Sequence, residues 1–215
     1  MQQTLCLGGG KMVETSLEEG KELVLEAKDL GIDIFDAHHR YGNCEKILSQ
    51  VPEIKVMSKV SAYHPNQWTS LMNNTIKSIG KPYIYWVSDL DDELLYGKGV
   101  FIYERLSAKH FTTLGITSEN PDLIIKFALD YPECRNFMVP IYPGSGITQK
   151  VVEFLQTRGS VFAIKPFDDG RALKALSVID CLRYQTWIGA DYIIFGTKNR
   201  KHLKEVVGLW NSLKN

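Results

Sequence analysis

Asp36, Tyr41 and Lys59 are the residues of this chain whose types and spacing suit acid–base chemistry. Asp36 falls at the end of the apolar run IDIFDA, and Tyr41 follows five residues later (41 − 36 = 5), just before Gly-Asn-x-Glu opens a helical stretch. Lys59 falls at the end of the next apolar run, KVMSKV. Neighbouring parallel strands lie about 4.8 Å apart, so Asp36 and Lys59 can pair with Tyr41 above them. A phenol with a pKa of about 10 is a poor acid–base switch unless a nearby ammonium lowers that value. Lys59 would be that ammonium, and Asp36 would hold it charged and oriented. Taken singly, each residue has a plainer reading: a helix cap, a packing ring, a solvated ammonium. The spacing of the three together favours chemistry.

Other signals are weaker. GGGKM (8–12) is not a phosphate-binding P-loop, because no upstream glycine stands at the required spacing and methionine replaces Ser/Thr after the lysine. Its glycines suit either a tight turn or the close approach of a ligand to the backbone. Asp36, His38, His39 and Cys44 match neither a zinc pair nor a facial triad, so no metal site is expected. Asp89, Asp91, Asp92 and Glu93 read as a solvated loop leading into a helix rather than a Mg²⁺ site. Trp68, Trp86, Trp187 and Trp210 are expected to pack, with Trp86 placed to line a pocket beside Ser88.

The elements that must position these groups alternate along the chain. Short apolar runs occur at 4–8, 32–37, 54–60, 83–88, 111–117, 136–142, 160–166 and 191–197, too continuously apolar for one-faced antiparallel strands. Helical patterns lie between them. Thr15-x-x-Glu18 and Ser16-x-x-Glu19 both fit a capping box ahead of a Leu17, Val24, Ala27, Leu30 stripe that stops at Gly31. Asn120-Pro121 opens another helix, and segments 148–156 and 200–210 carry similar stripes. Eight strands alternating with helices predict a compact α/β (β/α)8 TIM barrel with short loops, one domain over 1–215, with its chemistry at the C-terminal strand ends.

Composition bounds the function. Lys plus Arg is 25 and Asp plus Glu is 25, so 25 − 25 leaves no net charge, which argues against a nucleic-acid partner or a polybasic membrane surface. The chain is 44% hydrophobic and 23% charged, the composition of a globule. No apolar run approaches the roughly 20 residues that span a bilayer. The start, MQQTLCLGGGKMV, does not read as a secretory signal. Cys6, Cys44, Cys134 and Cys181 are scattered, as reduced thiols of a cytoplasmic protein would be.

FDAHHRYGNCE followed by SK resembles the aldo-keto reductase pattern F-D-T-A-x-x-Y-G-x-S-E and a strand ending in T-K. LGITSENP is similar to that family's G-V-S-N-F segment, AIKPFDDG to its P-L-x-x-G, and GTKNRKHLKEV to its G-T-x-N-x-x-H-L-x-E-N. The likeness runs through residues 4–210 in order. It implies hydride transfer between NADPH and a carbonyl or alcohol. Tyr41 would be the proton donor, and Lys59 and Asp36 would support it. Reduction leaves charge on the carbonyl oxygen, which needs a donor within hydrogen-bond reach. The expected partner is a small carbonyl or sugar-like substrate, and the protein a monomer or small homo-oligomer.

The resemblance also marks departures. The family's fourth-strand histidine falls on Ser88, or on Asp89 if the register slips by one. Serine is not an equivalent electrophile, and an aspartate would oppose the developing oxyanion. His38 or His39 could substitute, although a surface position for both is the favoured reading. For the cofactor, the resemblance implies Thr117 and Ser118 at the carboxamide, and Lys165, Thr197, Lys198, Arg200, His202 and Glu205 along the nucleotide. Lys198, Arg200 and Lys201 gather at a helix start, whose dipole attracts phosphate, which favours NADPH over NADH. The family's sixth-strand glutamine falls near Met138, its aromatic stacking residue at Ile164 and its terminal asparagine at Val206. The pyrophosphate loop shrinks to DDGRAL. These losses keep a second reading open: an impaired barrel acting as a binding or regulatory protein.

Overall fold

The computed structural model describes residues 3–108 and 113–214. His110 and the first two residues of the apolar run 111–117 lie outside the described residues. Strands β1 (Thr4–Gly8), β2 (Ile34–Asp36), β3 (Lys55–Ser61), β4 (Tyr85–Ser88), β5 (Leu114–Thr117), β6 (Asn136–Pro140), β7 (Ser160–Ile164) and β8 (Tyr192–Gly196) close in chain order into a parallel barrel. Helices α1 (Leu17–Asp29), α2 (Cys44–Leu48), α3 (Trp68–Ile79), α4 (Glu93–Ser107), α5 (Pro121–Asp130), α6 (Gln149–Gln156), α7 (Val178–Ile188) and α8 (Arg200–Ser212) follow the strands one by one. This is the expected (β/α)8 TIM barrel.

The helix starts are set by their caps. Of the two capping boxes the sequence allows, the chain uses Ser16–Glu19, with both reciprocal bonds formed. Thr15 instead donates its hydroxyl to the Met12 carbonyl at 2.8 Å. Asn120 caps α5 ahead of Pro121, and Asp92, drawn from the acidic loop, caps α4 by accepting from the Leu95 N–H at 2.8 Å.

Alternation along the strands makes two apolar layers. Leu5, Leu7, Phe35, Val60, Tyr85 and Val87 face the helices. Cys6, Ile34, Met57, Trp86, Met138, Phe162 and Ile194 fill the barrel's interior. Trp86 therefore lies fully buried beneath the mouth rather than lining a pocket, with its ring edge-on to Phe162 at 5.0 Å. Gly115 makes that placement possible, since a Cβ there would come within 2.4 Å of the indole. Trp68 and Trp210 are buried as expected, but Trp187 stands 60% exposed on α7. All four cysteines are free and buried.

One step beyond the interior layer, the same strand faces carry Gly8, Asp36, Lys59, Ser88, Thr117, Pro140, Ile164 and Gly196. The ring at the mouth is thus polar along β2–β5 and apolar or bare along β6–β8 and β1. Among the described residues, no helix is long and apolar enough to cross a membrane.

Candidate active site

Asp36 ends β2, and Lys59 stands two residues beyond the β3 position that pairs with it. The Lys59 ammonium reaches back and donates to both carboxylate oxygens of Asp36. The side chains are only 7% and 6% exposed. Burial works to discharge Lys59, but the carboxylate of Asp36 and the Tyr41 phenol outweigh it and hold its pKa above the usual lysine value.

Tyr41 is folded back over this pair by the turn after β2. Its N–H donates to the His38 carbonyl at 2.8 Å, and its own carbonyl accepts from the Cys44 N–H at 3.0 Å. The Lys59 ammonium lies 5.7 Å from the centre of the ring. The other side is bare backbone, where a Cβ on Gly10 would stand 3.8 Å from the Tyr41 hydroxyl. Gly9, by contrast, is a packing glycine: a Cβ there would sit 2.2 Å from Cys44 Sγ. Lys59 pulls the Tyr41 pKa down, as the sequence suggests. Burial and the charges of Asp36, Cys44 and Asp89 push harder the other way, so the net direction is upward and reverses the expectation.

Of the two histidines before Tyr41, both expected at the surface, His38 is buried and His39 half-buried. His38 is 4% exposed, with its ring centre 5.2 Å from that of Tyr41 and 4.3 Å from that of His39. Its Nδ1 accepts from the Arg40 N–H at 2.9 Å, and its Nε2 lies 3.5 Å from Ser88 Oγ. Burial, then the positive potentials of His39, Lys59, Arg40 and His64, push the His38 pKa down to about 2. Half-buried His39 donates from Nδ1 to the Lys59 carbonyl at 3.3 Å, and burial lowers its pKa as well.

Ser88 ends β4 opposite Ser61, and its hydroxyl lies 3.3 Å from both the Val60 carbonyl and Asp89 Oδ2. Asp89 adopts a left-handed φ of 63°, a conformation Asp tolerates better than most residues. It accepts from the Ser61 hydroxyl and faces Arg40 at 3.7 Å. Its charge is therefore engaged beside the site. Asp36, Tyr41, Lys59 and Ser88 are brought together, with His38 as the member that links Tyr41 to Ser88.

The residues implied for a cofactor fall at the end of β5, just after β7 and around the start of α8. At the end of β5, Thr117 is buried on the mouth face. Ser118 spends its hydroxyl on the loops around it, donating to the Leu90 carbonyl of the β4–α4 loop and accepting from the Asn120 N–H of its own at 2.9 Å. Met138 is an interior residue and Val206 lies on the buried face of α8, and neither apolar side chain supplies a hydrogen bond. At the other end, Thr197 accepts from the Asn199 N–H at 3.0 Å, and Asn199 caps α8. Lys198 is bound to Glu14, and Arg200 to Glu22 and Glu26, while Lys201, His202 and Glu205 are exposed. Lys165, after β7, pairs with Glu119 and Asp169. Cationic donors thus gather at the α8 start, beside the bare strand end at Gly196, while after β5 Thr117 is the residue of the pair that faces the mouth. Among the described residues, no group of three or more His, Cys, Asp or Glu is arranged to hold a metal ion.

No protein-family model matches the sequence, and no curated protein matches it significantly. Solved structures do match. A protein from Pseudomonas aeruginosa assigned as an aldo-keto reductase superposes with a TM-score of 0.79 at 18% identity, over 98% of this chain and 91% of that one. An aldo-keto reductase from Klebsiella pneumoniae in complex with NADPH superposes with a TM-score of 0.74 at 16% identity, over 97% and 85%. An aldo-keto reductase from a Medee basin deep-sea metagenome gives 0.75 at 12% identity, over 96% and 84%. The likeness shows the fold: a (β/α)8 barrel closed in the way those aldo-keto reductases close theirs. At these identities the likeness is one of architecture, and it agrees with the resemblance carried by the motifs. Within that barrel, this chain's departure lies at the end of β4, where Ser88 meets His38.

Proposed function

We propose that this chain is an aldo-keto reductase-type, NADP-dependent oxidoreductase acting on a small carbonyl or its alcohol. The observation that carries the reading is the buried Lys59–Asp36 pair under the Tyr41 ring. Packing has no need of a charged pair there, and burying one is costly unless each charge is held by the other.

Thr117 would meet the cofactor's carboxamide end. Thr197, Lys198, Arg200, Lys201 and Lys165 would surround its phosphates, aided by the N–H groups at the start of α8, with Ser118, His202 and Glu205 alongside. The bound cofactor supplies the hydride. The chain's own part is to place the substrate oxygen against the Tyr41 hydroxyl, which gives up its proton as charge develops on that oxygen. Lys59, kept charged by Asp36, stabilises the phenolate left behind.

The second reading, a barrel that binds without turnover, is favoured by Met138 and Val206, which cannot bond a cofactor. Calorimetric titration with NADPH, with NADH as control, and a carbonyl-reduction screen separate the two. Micromolar NADPH binding with turnover abolished in Tyr41→Phe supports the reductase. No heat up to millimolar cofactor and an unshifted melting temperature overturn it.

A further inference from the structure

A carbonyl oxygen that gains charge has two lone pairs to satisfy, and Tyr41 can serve one of them. The second donor must be fixed, within reach of Tyr41, and free to point into the site. Lys59 is committed to both oxygens of Asp36. The Ser88 hydroxyl has a carboxylate and a carbonyl to donate to, each at 3.3 Å. His38 remains.

We propose that His38 donates the second hydrogen bond to the substrate oxygen, from the β2–α2 loop, past the small side chain of Ser88 at the end of β4. The inference rests on the reductase reading given above. Its first support is the tautomer. The Arg40 N–H can only donate, so Nδ1 of His38 must accept, and the neutral ring carries its proton on Nε2. That N–H is the one directed at the β4 end, 3.5 Å from Ser88 Oγ. A carbonyl oxygen that displaces the Ser88 contact would take over this donor. The second support is the ring's position: its centre lies 5.2 Å from that of Tyr41, so the two side chains that would share the substrate oxygen are neighbours.

The surroundings keep the ring neutral. Lys59, Arg40, His39 and His64 face it with positive potential, Asp89 lies behind Ser88, and Tyr41 covers one side. His38 is therefore a hydrogen-bond donor and not a proton source: the bond it makes to oxygen strengthens as charge grows, and its proton stays on Nε2.

The test uses the full chain with NADPH and whichever carbonyl it reduces. His38→Ala is expected to lower kcat about 100-fold, the scale of a lost oxyanion donor, with NADPH affinity unchanged. In the His38→Ala background, Ser88→His is expected to restore part of kcat, because an imidazole built from position 88 reaches the same point. A purely structural His38 would show no such rescue. The ¹⁵N resonances of His38 should report an Nε2–H tautomer that does not titrate between about pH 5 and 8. Should His38→Ala fail to fold, His38→Asn keeps a small donor and is expected to retain intermediate activity. Loss of turnover in Tyr41→Phe alongside kcat within about threefold of the unsubstituted protein in His38→Ala would overturn the inference and leave the reductase reading standing. Absence of NADPH binding and turnover in the unsubstituted protein would remove that reading, and this inference with it.

Discussion

The ammonium of Lys59 is held by both carboxylate oxygens of Asp36 across the β2–β3 junction. Each charge is buried and has the other as its partner. Removing one leaves the other stranded in the barrel, a loss of about 3–5 kcal/mol. Asp36→Asn or Lys59→Met alone should therefore shift the urea midpoint sharply. The double variant should recover most of the difference, since it buries no lone charge. Additive losses in the double-mutant cycle would contradict the pairing.

Tyr41 sets the pH dependence. Its pKa is held above the ordinary tyrosine value, so the phenol is protonated at neutral pH. On the proposed reading, reduction would use the protonated form and alcohol oxidation the phenolate. The reductive kcat/KM is expected to stay level from neutral pH to about 10 and fall only above it, while the oxidative rate climbs with pH over the same range. An inflection in reduction well below pH 10 would mean that Lys59 dominates Tyr41 after all.

If the start of α8 takes the cofactor's phosphate as proposed, that phosphate must compete with carboxylates already bound to Lys198 and Arg200. Exposed ion pairs are weak and screened by salt. Glu14→Gln should free Lys198 and tighten NADPH binding a few-fold at low ionic strength. Neutralising Lys198, Arg200 and Lys201 together should erase the preference for NADPH over NADH. Calorimetry with both cofactors at two salt concentrations reads each effect.

Gly115 makes room for the Trp86 indole in the barrel's interior. A Cβ at this position would come within 2.4 Å of the indole and 2.9 Å of Asn136 Cβ. Gly115→Ala is expected to destabilise the protein by about 1–3 kcal/mol through overpacking. Trp86 fluorescence should shift as its ring moves.

The barrel was legible because strand and helix signals have local causes. Apolar runs such as SVFAIKP and DYIIFGT, and caps such as Ser16 and Asn120, act over a few residues. Asp36, Tyr41 and Lys59 were legible for a related reason, since their spacing along two consecutive strands predicts their meeting. His38 was harder to read. HHR is polar text, and its burial depends on a two-residue turn that sends the Arg40 N–H to Nδ1. The upward shift of Tyr41 reflects depth below the mouth, which spacing does not encode. The partners of Arg200 follow a longer logic: Glu22 and Glu26 are four residues apart on one face of α1, and only closure of the barrel brings that face against α8.

That closure joins β1 to β8 from Thr4↔Tyr192 to Gly8↔Gly196, and Arg200 and Lys204 bind Glu26 across the same seam. The barrel's first strand thus waits for its eighth to emerge from the ribosome. Until Tyr192–Gly196 has been made, the nascent sheet has two open edges, at β1 and β7, each a template for unwanted pairing with another chain. A ribosome stalled just before Tyr192 would therefore present the barrel in its most chaperone-dependent form, with its other seven strands already made.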